Sequence, residues 1–164
     1  MMSNNIVKYF IQTQQLFGNT LYLNNSLIPG TSLIKYGNIK SDILFIKKAT
    51  SDYNLIKKEK DLFRKILEAL KLSKNDILLI EFFKIKKETS FESFINKNKL
   101  KIIVAFGSFI SQFLLRTDKS LDLLRKTDNK YNGIKVIPTY SLIDMIDKPV
   151  FKKSVWNDLK TILV

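Results

Sequence analysis

The chain has 164 residues, of which 45% are hydrophobic and 26% are charged, and it contains neither cysteine nor histidine. This length and composition predict one globular domain with a core of its own. The two missing residue types exclude catalytic triads, thiolate nucleophiles, zinc sites and iron–sulfur clusters, so we expect no cofactor and no bound metal. No apolar run approaches the roughly 20 residues that span a bilayer, and the first residues lack a secretory signal. We therefore expect a soluble, cytoplasmic protein that contacts no membrane.

The net charge is +13, because 28 lysines and arginines outnumber 15 acidic residues. A basic surface gains affinity for nucleic acids by releasing counterions from phosphates. However, the excess is almost wholly lysine and accompanies abundant asparagine and isoleucine, as an AT-rich genome produces. Arginine is the residue that readers of bases and phosphates favour. The charge alone therefore leaves DNA binding and genome composition open as explanations.

The segment before Ser41 has weak hydrophobic periodicity and predicts an N-terminal arm followed by a short strand. A glutamine-rich patch at Gln12, Gln14 and Gln15 precedes an apolar run at residues 21–23 and a Pro-Gly turn signal at residues 29–30. We place the arm at residues 1–18 and the folded domain at residues 19–164.

From Asp42 onward, strand patterns alternate with helix patterns. Short apolar runs predict strands at residues 43–46, 77–83, 101–106 and 135–137. Apolar residues at helical spacing predict helices at residues 62–70, 91–96, 109–114 and 155–163. Residues 118–128 predict a polar loop. The alternation predicts an α/β fold, a three-layer sandwich with a central, mainly parallel four-stranded sheet.

Ligands of such sheets bind at the carboxyl ends of the strands, where lysines follow two of the predicted strands. Single- or double-stranded DNA is the ligand that we predict for this edge, bound without sequence preference. The candidate nucleic-acid-binding residues are Lys47, Lys48, Lys84, Lys86 and Lys87. Glu81 is the only acidic residue inside the predicted strand ends, so no carboxylate pair suited to acid–base catalysis is present there.

Three stretches of the last third resemble the family-4-type uracil-DNA glycosylases. Residues 104–107 are similar to the family's Val-Ala-Leu-Gly strand end, and residues 136–140 to the strand that delivers its catalytic His-Pro pair. Between Pro149 and Leu159 the sequence follows the spacing Pro-x-x-Lys-x-x-x-Trp-x-Asp-Leu of the family's closing helix. A weaker likeness extends back to Ser41. The resemblance implies a uracil-DNA glycosylase-like fold.

The residues that would carry the glycosylase reaction are replaced at the matching positions. The family's water-handling acid falls on Lys48, and the aromatic ring that stacks on uracil falls on Leu55. The asparagine that reads the uracil edge falls on Glu81, and the His-Pro pair falls on Ser141 and Leu142. The cysteines of the family's iron–sulfur cluster are missing. A glycosylase must hold an extruded base and stabilise developing charge, so we predict no catalytic residues and no enzymatic activity.

A second resemblance concerns the psi subunit of bacterial DNA polymerase III holoenzyme, which shares this fold without glycosylase residues. The stretch from Gln14 to Gly18 is similar to a Leu-Gln-Gln-Leu-Gly-like stretch in the psi arm. This likeness implies that the arm docks on clamp-loader subunits and that the domain holds a chi-like subunit. Exposed apolar residues would anchor the arm on its partner. The candidate partner-binding residues are Tyr9, Phe10, Leu16, Phe17 and Tyr22.

Three functions remain open from the sequence. The first is a non-catalytic, psi-like replication subunit that bridges the clamp loader and a complex of chi with single-strand-binding protein. The second is a divergent uracil-DNA glycosylase, and the third is a stand-alone single-stranded nucleic-acid-binding protein. Packing of the arm on the sheet is an alternative to docking. For Trp156, the amphipathic spacing predicts a core anchor. Ser141 is a poor candidate nucleophile because no histidine is present to activate it.

Overall fold

A computed structural model of the protein describes residues 32–84 and 89–163. Six strands form one sheet in the order β1-β3-β2-β4-β6-β5. They are β1 (Ser32–Gly37), β2 (Ile43–Lys48), β3 (Leu78–Lys84), β4 (Ile102–Phe106), β5 (Asn129–Tyr131) and β6 (Ile134–Thr139).

The helices follow the strands in alternation. They are α1 (Tyr53–Ala69), α2 (Thr89–Lys97), α3 (Ser108–Leu115), α4 (Leu121–Leu124), α5 (Leu142–Asp147) and α6 (Phe151–Leu159), after which a 3₁₀ turn spans Lys160–Leu163. Within the described ranges, no helix is both long and apolar enough to cross a membrane.

The predicted α/β architecture is confirmed, but the prediction of a four-stranded sheet was wrong. The four strands that the sequence predicted correspond to β3, β2, β4 and β6, which pair in parallel in that order. Two further strands pair antiparallel at the edges, β1 with β3 and β5 with β6, so the sheet is mixed. Edge strands need no continuous apolar run, and polar residues interrupt both of these strands, which is why their pattern is weak in the sequence.

Alternation along the parallel strands produces two hydrophobic cores, one on each face of the sheet. In β2, Phe45 faces the first core, whereas Leu44 and Ile46 face the second. The first core lies between the sheet and helices α1, α5 and α6, and the second lies between the sheet and helices α2 and α3. Helices therefore cover both faces, which explains why the central strands are apolar throughout.

Strands β5 and β6 form a hairpin inside the region where we predicted a polar loop and a single strand. Its turn residues, Asn132 and Gly133, have φ angles of 48° and 82°. Positive φ at both central positions is typical of a type I′ turn, which asparagine and glycine adopt at least cost. The short helix α4 also lies in the predicted loop, where Ser120 caps it by accepting a hydrogen bond from the backbone N–H of Leu123.

Helix α6 departs from the prediction at its aromatic residue. Val155 and Leu159 are buried in the first core, but Trp156 is 42% exposed. The prediction that Trp156 anchors the core was therefore wrong. A residue next to Val155 in sequence lies about 100° around the helix from it, so both side chains cannot point to the centre of the same core.

Candidate functional site

The carboxyl ends of the parallel strands β2, β4 and β6 lie side by side and form one edge of the sheet, called here the carboxyl edge. Lys48 ends β2, and its Nζ lies 5.7 Å from the centroid of the Phe109 ring in the first turn of α3. Both side chains are exposed. From β2 the chain continues to β3 on one side of it and then to β4 on the other side. Open α/β sheets ordinarily bind ligands at the carboxyl ends of the strands where the strand order reverses in this way.

Gly107 connects β4 to α3 with a backbone that requires glycine. Its φ of +91° lies in the left-handed region, and a Cβ atom there would come within 3.3 Å of Ser141 Cβ. Its N–H donates a 2.8 Å hydrogen bond to the carbonyl of Thr139 at the end of β6. The glycine thus allows the loops after β4 and β6 to approach each other closely.

Lys47 lies inside the domain, one residue before the exposed Lys48. Its Nζ is 3.2 Å from Glu59 Oε2 on α1 and 3.7 Å from Glu81 Oε1 on β3. Lys47 and Glu81 are register partners on the neighbouring strands β2 and β3. Side chains alternate between the two faces of a sheet, and both of these side chains lie on the face that α1 covers. All three residues are less than one-tenth exposed. Lys47, Glu59 and Glu81 are called here the buried charge cluster.

The buried charge cluster places two carboxylates around a single ammonium group. Burial raises the pKa of Glu59, and the neighbouring Lys47 ammonium only partly opposes this shift. Burial also lowers the pKa of Lys60, which is half-buried beside the cluster. The cluster and Lys60 line a narrow recess with Ile56, Phe63, Leu79 and Leu142. The Glu81 carboxylate, paired and buried, is therefore poorly placed to meet a substrate outside the domain.

Ser141 is used to begin a helix. Its Oγ accepts a 3.0 Å hydrogen bond from the backbone N–H of Asp144, and Asp144 Oδ2 accepts one of 3.0 Å from the backbone N–H of Ser141. This reciprocal arrangement is a capping box at the start of α5. A serine hydroxyl engaged in a cap, with no histidine in the chain, has no base to activate it.

A second polar network, which the sequence did not predict, ties α4 and α6 to the end of β6. Arg125 binds Asp158 through two hydrogen bonds, from Nε at 2.7 Å and from an η nitrogen at 3.2 Å. The buried hydroxyl of Thr139 donates to the same carboxylate at 2.7 Å. Tyr140 donates to Asp122 and stacks on the ring of Phe151. Hydrogen bonding to Asp122 raises the pKa of Tyr140. The network fixes loops and helices around the carboxyl edge.

The predicted site residues differ in their exposure to solvent. Lys48 is exposed at the carboxyl edge, whereas Lys47 is buried and paired, so its ammonium does not face solvent. Leu55 is half-buried on α1. Lys84 is the last residue of β3, where it is paired with Ser32 of β1. The remaining predicted residues lie outside the described ranges: Lys86, Lys87, Tyr9, Phe10, Leu16, Phe17 and Tyr22.

The opposite edge of the sheet carries a cationic groove, called here the amino-edge groove, that sequence reasoning missed. It is an open concavity of about 640 Å³ where the chain enters β2, β3 and β4. Four lysines line it, together with two aspartates that are already engaged, Asp42 with Lys101 at 2.7 Å and Asp76 with Ser73. The other three lysines are Lys40, Lys71 and Lys99. They come from three separate loops, so no run of basic residues marks the groove in the sequence.

No protein-family model matches the sequence, and comparison with curated proteins finds no significant match. The resemblances to the glycosylases and to the psi subunit therefore stay predictions, and the functional argument depends on the residues of this chain.

Proposed function

We propose that the protein is a non-catalytic subunit of the bacterial replication machinery with a uracil-DNA glycosylase-like fold. In a psi-like role it bridges the clamp loader and a chi-like subunit with its single-strand-binding protein. The observation that supports this proposal best concerns the contacts that side chains make at the carboxyl edge. There, two of the four positions that the resemblance assigns to glycosylase chemistry are occupied in internal contacts: Glu81 is buried and paired, and Ser141 caps a helix.

Two of the positions at which the resemblance implies lost chemistry have structural roles in this domain. Glu81 is held by Lys47 inside the domain, and Ser141 is held by Asp144 at the start of α5. Lys48 brings a positive charge to the position of the family's water-handling acid. A general base must reach its proton within about 3 Å, directly or through one water. Glu81 is paired with Lys47 and Ser141 is engaged in a cap, so neither is free to take up a proton at the edge.

Exposed aromatic side chains fit a role in binding. Phe109 is 54% exposed and Tyr53 is 51% exposed, at the first turns of α3 and α1. Both helices start at the carboxyl edge, so the edge combines aromatic rings with the ammonium of Lys48. Aromatic residues are enriched where proteins bind one another. A surface of this kind can hold a partner without any reaction taking place.

Two measurements test the proposal. Incubation with a uracil-containing oligonucleotide, followed by alkali, should leave the strand intact, with an active uracil-DNA glycosylase as the positive control. Cleavage at enzyme-like turnover that Glu81→Gln or Ser141→Ala abolishes would show a divergent glycosylase. Removal of residues 1–18 should leave the melting temperature nearly unchanged and abolish co-purification with clamp-loader subunits. If the shortened chain unfolds instead, the arm belongs to the core and the psi-like role loses its main support.

The amino-edge groove favours a second candidate function, which is nucleic-acid binding through charge alone. The lining carries four lysines against two aspartates, and one of these aspartates pairs with Lys101, so the groove has an excess of positive charge. The lining contains no aromatic ring, so it offers no platform on which unpaired bases would stack. A duplex backbone is therefore the better ligand for this groove. Its binding would weaken steeply as salt concentration rises.

A further inference from the structure

Helix α6 presents an exposed face on which apolar and cationic side chains alternate. Val150 is 74% exposed, Trp156 is 42% exposed and Leu163 is 51% exposed. Lys153 and Lys160, both exposed, lie between them in sequence. The spacing of three, three, four and three residues places all five along one side of the helix and its 3₁₀ extension. These five residues, called here the α6 outer face, extend over about 20 Å.

The hydrophobic core does not explain this face. Val155 and Leu159 point from α6 into the first core, whereas the residues of the α6 outer face stay exposed. A half-exposed tryptophan retains much apolar area that water solvates poorly, and tryptophan is among the residues that carry most of the binding energy at interfaces. Single exposed apolar residues are common on protein surfaces and need no explanation. Three of them in one row form a patch, and such patches mark interaction sites.

Positive charge predominates around the face, although the exposed Asp147 lies just before it in the chain. Between residues 148 and 163 the chain has four exposed lysines and a single acidic residue, Asp158. Asp158 does not offset these lysines, because Arg125 and Thr139 occupy its carboxylate on the inner side of the helix. A partner that covers the face therefore meets uncompensated ammonium groups, and complementary partners carry carboxylates at the matching positions. The four lysines are Lys148, Lys152, Lys153 and Lys160.

We infer that the α6 outer face binds an acidic segment of another protein that also presents apolar side chains. Carboxylates of the segment pair with Lys153 and Lys160, while its apolar side chains pack on Trp156, Val150 and Leu163. The aliphatic stems of the lysines extend this apolar area, since lysine buries its stem and keeps its ammonium in water. The site depends on α6 alone and would hold whether or not the protein takes part in replication.

The same observations disfavour other occupants. A second copy of the chain would bring the same lysines and a further net charge of +13 against the face. A nucleic acid would use the lysines and stack on Trp156, but Val150 and Leu163 have no ring on which a base stacks. An acidic peptide with apolar side chains is the occupant that uses both kinds of residue in the row.

Peptide display tests this inference on the full-length protein. A random-peptide library selected against the immobilised protein should enrich peptides that combine aspartate or glutamate with leucine or phenylalanine. A synthetic selected peptide without tryptophan should shift the fluorescence of Trp156, the single tryptophan of the chain. Measured by isothermal titration calorimetry, which needs no tryptophan, Trp156→Ala and Lys153→Glu should each weaken its affinity at least tenfold. Lys97→Glu changes the net charge equally on α2, across the sheet from α6, and should have little effect.

Several outcomes would overturn the inference. A selection that enriches no peptides, or that enriches peptides without acidic residues, removes the proposed occupant. A selected peptide whose affinity survives both Trp156→Ala and Lys153→Glu binds elsewhere. Should Trp156→Ala fail to fold, Lys153→Glu still decides, because Lys153 is fully on the surface side of the helix and its exchange leaves the core intact. A Trp156 shift produced more strongly by a single-stranded oligonucleotide or by anionic vesicles would assign the face to those ligands.

Discussion

Replacement of Lys47 by methionine removes the one ammonium group that two buried carboxylates share. Lys47 Nζ lies 3.2 Å from Glu59 Oε2 and 3.7 Å from Glu81 Oε1, and all three side chains are buried. Methionine keeps the unbranched apolar stem, so the packing against α1 changes little. Removal of one partner from a buried ion pair costs about 3–5 kcal/mol, because a buried charge loses its compensation. That loss is a large part of the roughly 5–15 kcal/mol by which a domain is stable.

The assay is urea unfolding at neutral pH, followed by circular dichroism. Lys48→Met on the same strand is the matched control, because Lys48 is exposed, and we expect its free energy of unfolding to change by no more than about 0.5 kcal/mol. Methionine at Lys47, Glu59 and Glu81 together should restore stability to the wild-type value or raise it by about 1–4 kcal/mol, since all three charges of the buried charge cluster are then absent. The reasoning is refuted if Lys47→Met costs less than about 1 kcal/mol, or if the triple variant is no more stable than Lys47→Met.

Three further predictions follow from single contacts. Because burial raises the pKa of Glu59, the folded protein binds this proton more tightly than the unfolded chain, so its stability relative to Glu59→Gln should rise as pH falls from neutral toward the ordinary carboxyl value. Urea titrations at several pH values measure this difference, and a decrease on acidification would contradict the shift. Ser141→Ala should lower the free energy of unfolding by about 1 kcal/mol through loss of the α5 cap, whereas Ser141→Asp should retain most of it. For duplex DNA, Lys71→Glu should reduce the salt dependence of binding, measured by fluorescence anisotropy, more than Lys48→Glu does. Equal effects would argue against the amino-edge groove as the binding site.

The central part of the fold could be predicted because its signals are local. The run from Ile43 to Ile46 is apolar without interruption, as a strand covered on both faces requires, and it forms the middle of the parallel sheet. Helical spacing likewise located α1, α3 and α6. The Asn132-Gly133 pair is a hairpin signal in the sequence. The hydrophobic pattern did not predict the hairpin, because β5 has only three residues and two of them are polar.

The sequence by itself also determined which chemistry is absent, since a chain without histidine or cysteine lacks those catalysts in any fold. Only the tertiary structure decided what each remaining charge does. Lys47 and Lys48 are neighbours in a strand, where successive side chains point in opposite directions. The side chain of Lys47 therefore points into the domain toward Glu59, whereas that of Lys48 is exposed to solvent. The lysines of the amino-edge groove and the partners of Asp158 come from segments far apart in the chain. Their juxtaposition arises from the order of the strands, which no local pattern of residues records.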